Sequence, residues 1–160
     1  NGAQQVGEYL LTSGKKKPAY VGGVNDSPKR KGFLRGLGCL AEKVCLDVGG
    51  ATFSDGEQAF CRLHSKSLEI DSVFCANDIL AIGFIRAAVS TGIKIPDEIA
   101  VIGCDDIRIA MYYNPSLTTI SFKEYEIGRQ AVLQLFAFCD KNIPITGKSI
   151  VSELVIRESA

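Results

Sequence analysis

The sequence predicts an α/β domain in which a parallel sheet is flanked by helices on both faces. Three observations predict it. Short apolar runs such as Tyr20-Val21, Val73-Phe74-Cys75-Ala76 and Val101-Ile102 recur along the chain. Stretches with apolar residues at helical spacing separate them. The connections are short and carry Gly, Pro, Asn or Asp. Strands that alternate with helices pair in parallel, and a sheet covered on both faces shows continuous apolar runs instead of alternation.

Each element follows in order. Residues 3–13 read as a helix, with Val6 and Leu10 on one face and Gly14 as its C-cap. Pro18 to Gly23 reads as a buried strand ending in glycines. Ser27-Pro28 supplies an N-cap and a first-turn proline. That helix runs to about Glu42, with Phe33, Leu37, Leu40 and Ala41 on one side. Val44 to Val48 is the second strand, closed by Gly49-Gly50. Ser54 or Asp55 caps a helix carrying Ala59, Phe60 and Leu63. Val73 to Ala76 is the third strand. Asn77-Asp78 caps a helix to about Ser90, which Gly92 stops. After a turn at Pro96-Asp97-Glu98, Ile99 to Gly103 is the fourth strand. A short helix around Ile107 to Tyr112 ends before Pro115, and Thr118 to Phe122 is extended. Residues 124–139 form an amphipathic helix with Ile127, Ala131, Val132, Leu135, Phe136 and Cys139. A last strand runs from Ile150 to Ile156. No repeat or linker divides the chain, so it reads as one domain.

Composition narrows the function. The 18 basic and 18 acidic residues cancel, and no basic stripe is present, which argues against direct nucleic-acid binding by this chain. No apolar run approaches the ~18 residues of a membrane span. The polar start Asn1-Gly2-Ala3-Gln4-Gln5 is not a signal peptide, and without an initiator Met the chain starts as if in mid-protein. The six cysteines form no C-x-x-C pair and read as small buried apolar residues of a reduced, cytoplasmic protein. With His64 as the single histidine, no metal site or cofactor is expected.

Ligands of open parallel sheets sit beyond the carboxyl ends of the strands. Three polar groupings fall there: Asn25-Asp26-Ser27 with Lys29-Arg30-Lys31, Asn77-Asp78, and Asp105-Asp106. Each has a plainer reading, as a helix cap, a turn or a solvated basic patch. Together on one sheet edge they point to a polar ligand. The chain has no G-x-S-x-G elbow, Walker A loop or H-E-x-x-H motif, and Gly36-x-Gly38 lies inside a helical pattern. Binding without catalysis is therefore expected. The helix after Asn77 is apolar on two sides, with Leu80, Phe84 and Ala87 on one and Ile82, Ile85 and Val89 on the other. The second side is expected to meet another subunit or another part of the protein, unless the helix is wholly internal.

These stretches carry a family resemblance. DSVFCANDILAIGFIRAAVSTGIKIPDEIAVIGCDDI, residues 71–107, closely resembles the effector-binding core of the lactose/galactose-repressor family of bacterial transcription regulators. NPSLTTISFKEYEIGRQAVLQL, residues 114–135, resembles it too, and ELVIRESA is similar to the family's final strand. AYVGG and GFLRGL are similar to the family's middle.

The resemblance implies a lobe like that of type I periplasmic binding proteins. Residues 1–160 would form the C-terminal lobe, with 122–142 contributing to or contacting an N-terminal lobe. A DNA-binding headpiece would precede both and is absent here, so DNA would be bound only through that missing domain. The family also implies a homodimer with the helix at 78–90 in the interface. Asp105 matches the family's effector-contacting aspartate, and Asn77 matches a polar position that touches the effector. Three positions depart. The arginine of R-x-x-G-F falls on Lys29, which lacks the bidentate fork. The stacking aromatic falls on Ala51, with Phe53 close by, and Cys104 replaces another aromatic. The implied function is non-enzymatic sensing of a small molecule, a sugar or sugar phosphate, with a regulatory protein partner as a further candidate. The alternative is a fragment of a periplasmic sugar-binding protein of the same fold.

Overall fold

A computed structural model describes residues 2–39, 44–66, 68–141 and 143–160. Among these residues the strands are β1 (Pro18–Gly22), β2 (Val44–Asp47), β3 (Ser72–Cys75), β4 (Ala100–Cys104), β5 (Thr118–Ser121) and β6 (Glu153–Val155). The helices among them are α1 (Gly2–Thr12), α2 (Ser27–Gly36), α3 (Phe53–Ser65), α4 (Asp78–Ser90) and α5 (Glu124–Lys141). Single 3-10 turns lie at Val24–Asp26 and Arg108–Met111.

The strands lie in the order β2-β1-β3-β4-β5-β6. The first five are parallel, as expected. The last pairs antiparallel to β5 and is shorter than the expected Ile150–Ile156. Every residue of β1, β3 and β4 is buried. That burial explains their uninterrupted apolar runs, since both sheet faces are covered. α2 carries the chain from β1 outward to β2, whereas α3 and α4 carry it the other way. Right-handed crossovers therefore put α2 on one face and α3 and α4 on the opposite face. α1 packs on α2, and α3 packs on α4.

The packing of α4 corrects one sequence expectation. A Cβ at Gly56 would lie 2.2 Å from the Leu80 carbonyl oxygen, and one at Gly83 would lie 2.1 Å from that of Phe53. The two glycines let the helix backbones touch, so α3 covers the Leu80 and Phe84 side of α4. The opposite side is also largely covered within the chain: Ile82 is 6% and Ile85 1% exposed, and only Val89 of the three expected interface residues is open, at 50%. The free apolar side chains of α4 are Ile79 and Val89.

Other details also differ. Cys75 and Cys104 are buried, but Cys39, Cys45, Cys61 and Cys139 are exposed, so the expectation of buried cysteines fails for four of six; all are free thiols. They lie on outward helix faces, near a helix end or on the edge strand. The cap of α3 is Thr52, whose hydroxyl accepts from the Asp55 N–H while Asp55 accepts from the Thr52 N–H. α2 closes at Gly36, earlier than expected, and residues 40–43 of the expected helix lie outside the described residues.

α5 has the expected length but no buried residue. Ile127, Val132, Leu135, Phe136 and Phe138 are all exposed. In water this apolar surface is unfavourable at roughly 25 cal/mol per Å².

Candidate functional site

The strand order turns back at β1: α2 leaves its carboxyl end in one direction and α4 leaves that of β3 in the other. A crevice opens where neighbouring loops part in this way. Lys29 stands in the first turn of α2 after β1, the loops after β2, β3 and β4 carry Ala51, Asn77 and Asp105 respectively, and the structure brings these four together. Lys29 Nζ donates to the Ala76 carbonyl at 2.7 Å and stands 3.7 Å from Asp105 Oδ1. Asn77 Nδ2 reaches the Ala51 carbonyl at 3.5 Å, a long contact. Asn77 Oδ1 accepts the Leu80 N–H at 2.8 Å, so the residue is also the N-cap of α4.

The basic triplet separates by role. Lys29 turns into the crevice, Arg30 pairs with Asp47 at 3.1 Å, and Lys31 is exposed. Lys29 and Asp105 are 30% and 40% exposed, so their pair contributes little to stability. Both side chains instead offer polar atoms to the crevice, a donor opposite an acceptor. Burial raises the Asp105 carboxyl above its ordinary range, opposed by the Lys29 charge. Beneath them, burial pushes the Cys104 thiol up to about 12, so it stays neutral and faces Asp105 and Lys29 as a thiol. Phe53 does not replace the missing aromatic at Ala51: its ring lies under the Arg86 guanidinium, 5.3 Å away, facing α4.

Asp105 sits at φ 112° and Asp106 at φ 51°, backbone conformations that non-glycine residues seldom adopt. Asp106 turns to Arg157, 2.7 Å away, which also donates to the Leu117 carbonyl at 2.7 Å. The two neighbouring carboxylates thus have separate surroundings. Sequence reasoning took Asp78 only as part of the Asn77-Asp78 grouping that caps a helix, and it missed Thr119 and Glu124. Asp78 is fully buried beneath the turn, Thr119 bonds to it, and Glu124 at the start of α5 is close enough to act on Asp105 electrostatically. The spacing of α5 after β5 was the one available signal for Glu124.

A cavity of about 450 Å³ lies elsewhere, lined by Phe60, Leu63, His64, Ile93 and Glu98 among others. It opens near Ile70 and Ile99, at the amino ends of β3 and β4. That is the far edge of the sheet from Asp105.

With this geometry, comparison with known proteins is informative. Residues 8–160 match the model of the periplasmic binding protein-like domain. The chain belongs to that family. Within it, the chain corresponds to part of the effector-binding domain of regulators of the lactose/galactose-repressor type, as the sequence resemblance implied. It is 30% identical to the transcriptional repressor CytR of Escherichia coli over 94% of this chain and 47% of the relative. It is 31% identical to the repressor PurR of Mannheimia succiniciproducens, over 99% of this chain and 50% of that one. The chain thus spans about half the length of these curated relatives, which are transcriptional repressors, not enzymes. A putative LacI-family regulator from Sanguibacter keddieii superimposes with a TM-score of 0.84 at 28% identity, over 98% of this chain and 62% of that one. The Escherichia coli repressor AscG gives 0.88 at 23% identity, over 99% and 60%, a likeness of fold.

Proposed function

We infer that the periplasmic binding protein-like chain is the C-terminal lobe of a regulator's effector-binding region, and that its crevice holds a hydroxyl-rich small molecule of the sugar or sugar-phosphate class. The observation that carries this reading is the meeting of Lys29, Asn77 and Asp105 at the carboxyl ends of adjacent strands. A hydroxyl can donate to Asp105 and accept from Lys29 at once. Ala51 offers no stacking surface, so recognition would rest on the hydrogen bonds of Lys29, Asn77 and Asp105.

The repressor names of the relatives favour a cytoplasmic protein whose DNA contacts lie in a separate N-terminal headpiece. An N-terminal lobe would close the crevice, and effector bridging two lobes would favour one arrangement of them. α5 would contribute to or dock on that lobe, which accounts for an apolar helix with no buried residue. The homodimer contact would lie on the outward side of α4, at Ile79 and Val89, and on the adjoining turn at Ile109, Met111 and Tyr112, all exposed.

Calorimetric titration of the full-length protein with pentoses, hexoses and their phosphates tests the effector class. Saturable binding by at least one is expected, and heat signals indistinguishable from buffer for all of them would remove the reading. Limited proteolysis tests the placement of α5. Cleavage within 124–141 is expected in the isolated 160-residue chain and not in the full-length protein; equal cleavage in both would contradict docking.

A further inference from the structure

We propose that Asp78 is the positioning residue for Asp105, its buried carboxylate fixing the Asp105-Asp106 turn through Thr119 and the Ile107 backbone. The importance of Asp105 rests on the effector reading above, but the linkage itself stands on separate observations. Asp78 is completely buried. Its Oδ2 accepts the Ile107 N–H at 2.8 Å, and its Oδ1 accepts the Thr119 hydroxyl at 2.5 Å. The same Thr119 oxygen accepts the Asp106 N–H at 3.3 Å. Two successive turn amides therefore end on one carboxylate–hydroxyl pair. A Cβ at Gly103 would lie 2.2 Å from Asp78 Oδ1, so the glycine leaves room for the carboxylate. The turn needs this hold, because Asp105 and Asp106 both lie in left-handed backbone space. An N-cap role does not explain the residue, since Asn77 performs it.

The direction of each hydrogen bond makes the hold depend on charge. The ionised carboxylate takes the Thr119 proton, which leaves a lone pair of that oxygen for Asp106. A proton on Oδ2 would face the Ile107 N–H, donor against donor. A proton on Oδ1 would reverse the bond to Thr119, whose own proton then lacks its acceptor. The first state loses a hydrogen bond of the turn, and the second keeps the partners but loses the charge that strengthens their bonds.

The surroundings place this protonation in an accessible range. Asp105 and Asp106 face Asp78 from the loop, the Cys75 thiol from β3 and the Thr119 hydroxyl from β5. Lys29 and Arg157 are the cations behind the two loop carboxylates. Burial, with the loop carboxylates adding to it, raises Asp78 to about 6 against the bonds from Thr119 and Ile107. Protons therefore loosen the turn as pH falls through about 6, while Asp78 remains ionised at pH 7.5.

Hydrogen exchange of the full-length protein, read on peptides spanning 104–108 and corrected for intrinsic exchange, tests the proposal without any effector. Loss of charge assistance in the turn's hydrogen bonds corresponds to roughly a fivefold change. Wild-type protection of the Asp106 and Ile107 amides is expected to fall by about that factor from pH 7.5 to 5. Asp78→Asn accepts from Ile107 and donates to Thr119 as the protonated carboxyl does, so it should show the reduced protection at both pH values and lose the pH dependence. Thr119→Val, which keeps the β-branched shape, should lose protection at pH 7.5, and Thr119→Ser should restore it. Asp78→Ala should lose still more; should it not fold, the Asn, Val and Ser variants decide. Wild-type protection in Thr119→Val, or an unchanged pH dependence in Asp78→Asn, would overturn the proposal. Absence of any sugar effector would overturn the effector reading and leave this result standing.

Discussion

Gly83→Ala is expected to destabilise the protein by about 3 kcal/mol, at the upper end of ordinary overpacking. The new methyl would stand 2.1 Å from the Phe53 carbonyl oxygen and 3.2 Å from the Glu57 nitrogen, both backbone atoms of α3. No side-chain rotation can relieve such a clash, so α3 must move away from α4. That movement opens the contact in which Phe84 packs edge-on against Phe60. For a chain of this size the change corresponds to roughly 6–12 °C in Tm. Gly49→Ala is the control, because no atom lies within 4 Å of the place its Cβ would take and its backbone is not left-handed. It should stay within about 0.5 kcal/mol of wild type. Differential scanning calorimetry of both variants checks this. A Gly83→Ala protein melting with wild type would mean that the helices do not touch at these glycines.

The second large effect concerns the crevice. In the full-length protein, Asp105→Ala is expected to weaken effector binding by roughly tenfold to a hundredfold or more. A charge-assisted hydrogen bond contributes about 1.5–3 kcal/mol, and the carboxylate can accept from two vicinal hydroxyls. The substitution also removes the partner of Lys29, which stays tethered to the Ala76 carbonyl. Asp106→Ala should retain much of the affinity, because its carboxylate faces Arg157 and not Lys29. Its cost should fall on stability, since it leaves a mostly buried guanidinium with one partner fewer. Calorimetry and thermal melts on the two variants separate these effects. Equal loss of affinity in both would mean that the turn acts as a unit.

Much of the fold was legible because burial on both sheet faces writes itself into the sequence. Val73-Phe74-Cys75 and Val101-Ile102-Gly103 are continuous apolar runs for that reason. The site's location was legible from the same source, since a polar residue directly after such a run must lie at the strand's carboxyl end. The polar groupings that hold Lys29, Asn77 and Asp105 were found in this way, and the family resemblance singled out the three residues within them. What could not be read was which element covers which. The second apolar side of α4 suggested an external partner, whereas Ile82 and Ile85 on it are buried within the chain. On the first side Gly56 and Gly83 bring α3 onto the helix, and two glycines far apart in sequence give no local sign of meeting. Asp78 was ambiguous for a related reason. Beside Asn77 it looked like a cap, and its true partners, Thr119 and the Ile107 amide, come from distant segments. Cysteine composition misled as well, because exposure of Cys45 and Cys61 depends on the edge position of β2 and the outward side of α3.

The central claim is that Lys29, Asn77 and Asp105 form the effector-contacting edge of this lobe. A crystal structure of the full-length protein with the sugar or sugar phosphate identified by titration tests it most directly. The account predicts ligand density over the carboxyl ends of β1, β3 and β4, with a hydroxyl oxygen within about 3.2 Å of the Asp105 carboxylate. Ligand bound instead in the cavity beside Phe60, Leu63 and Ile93, with Asp105 still facing only Lys29, would contradict it.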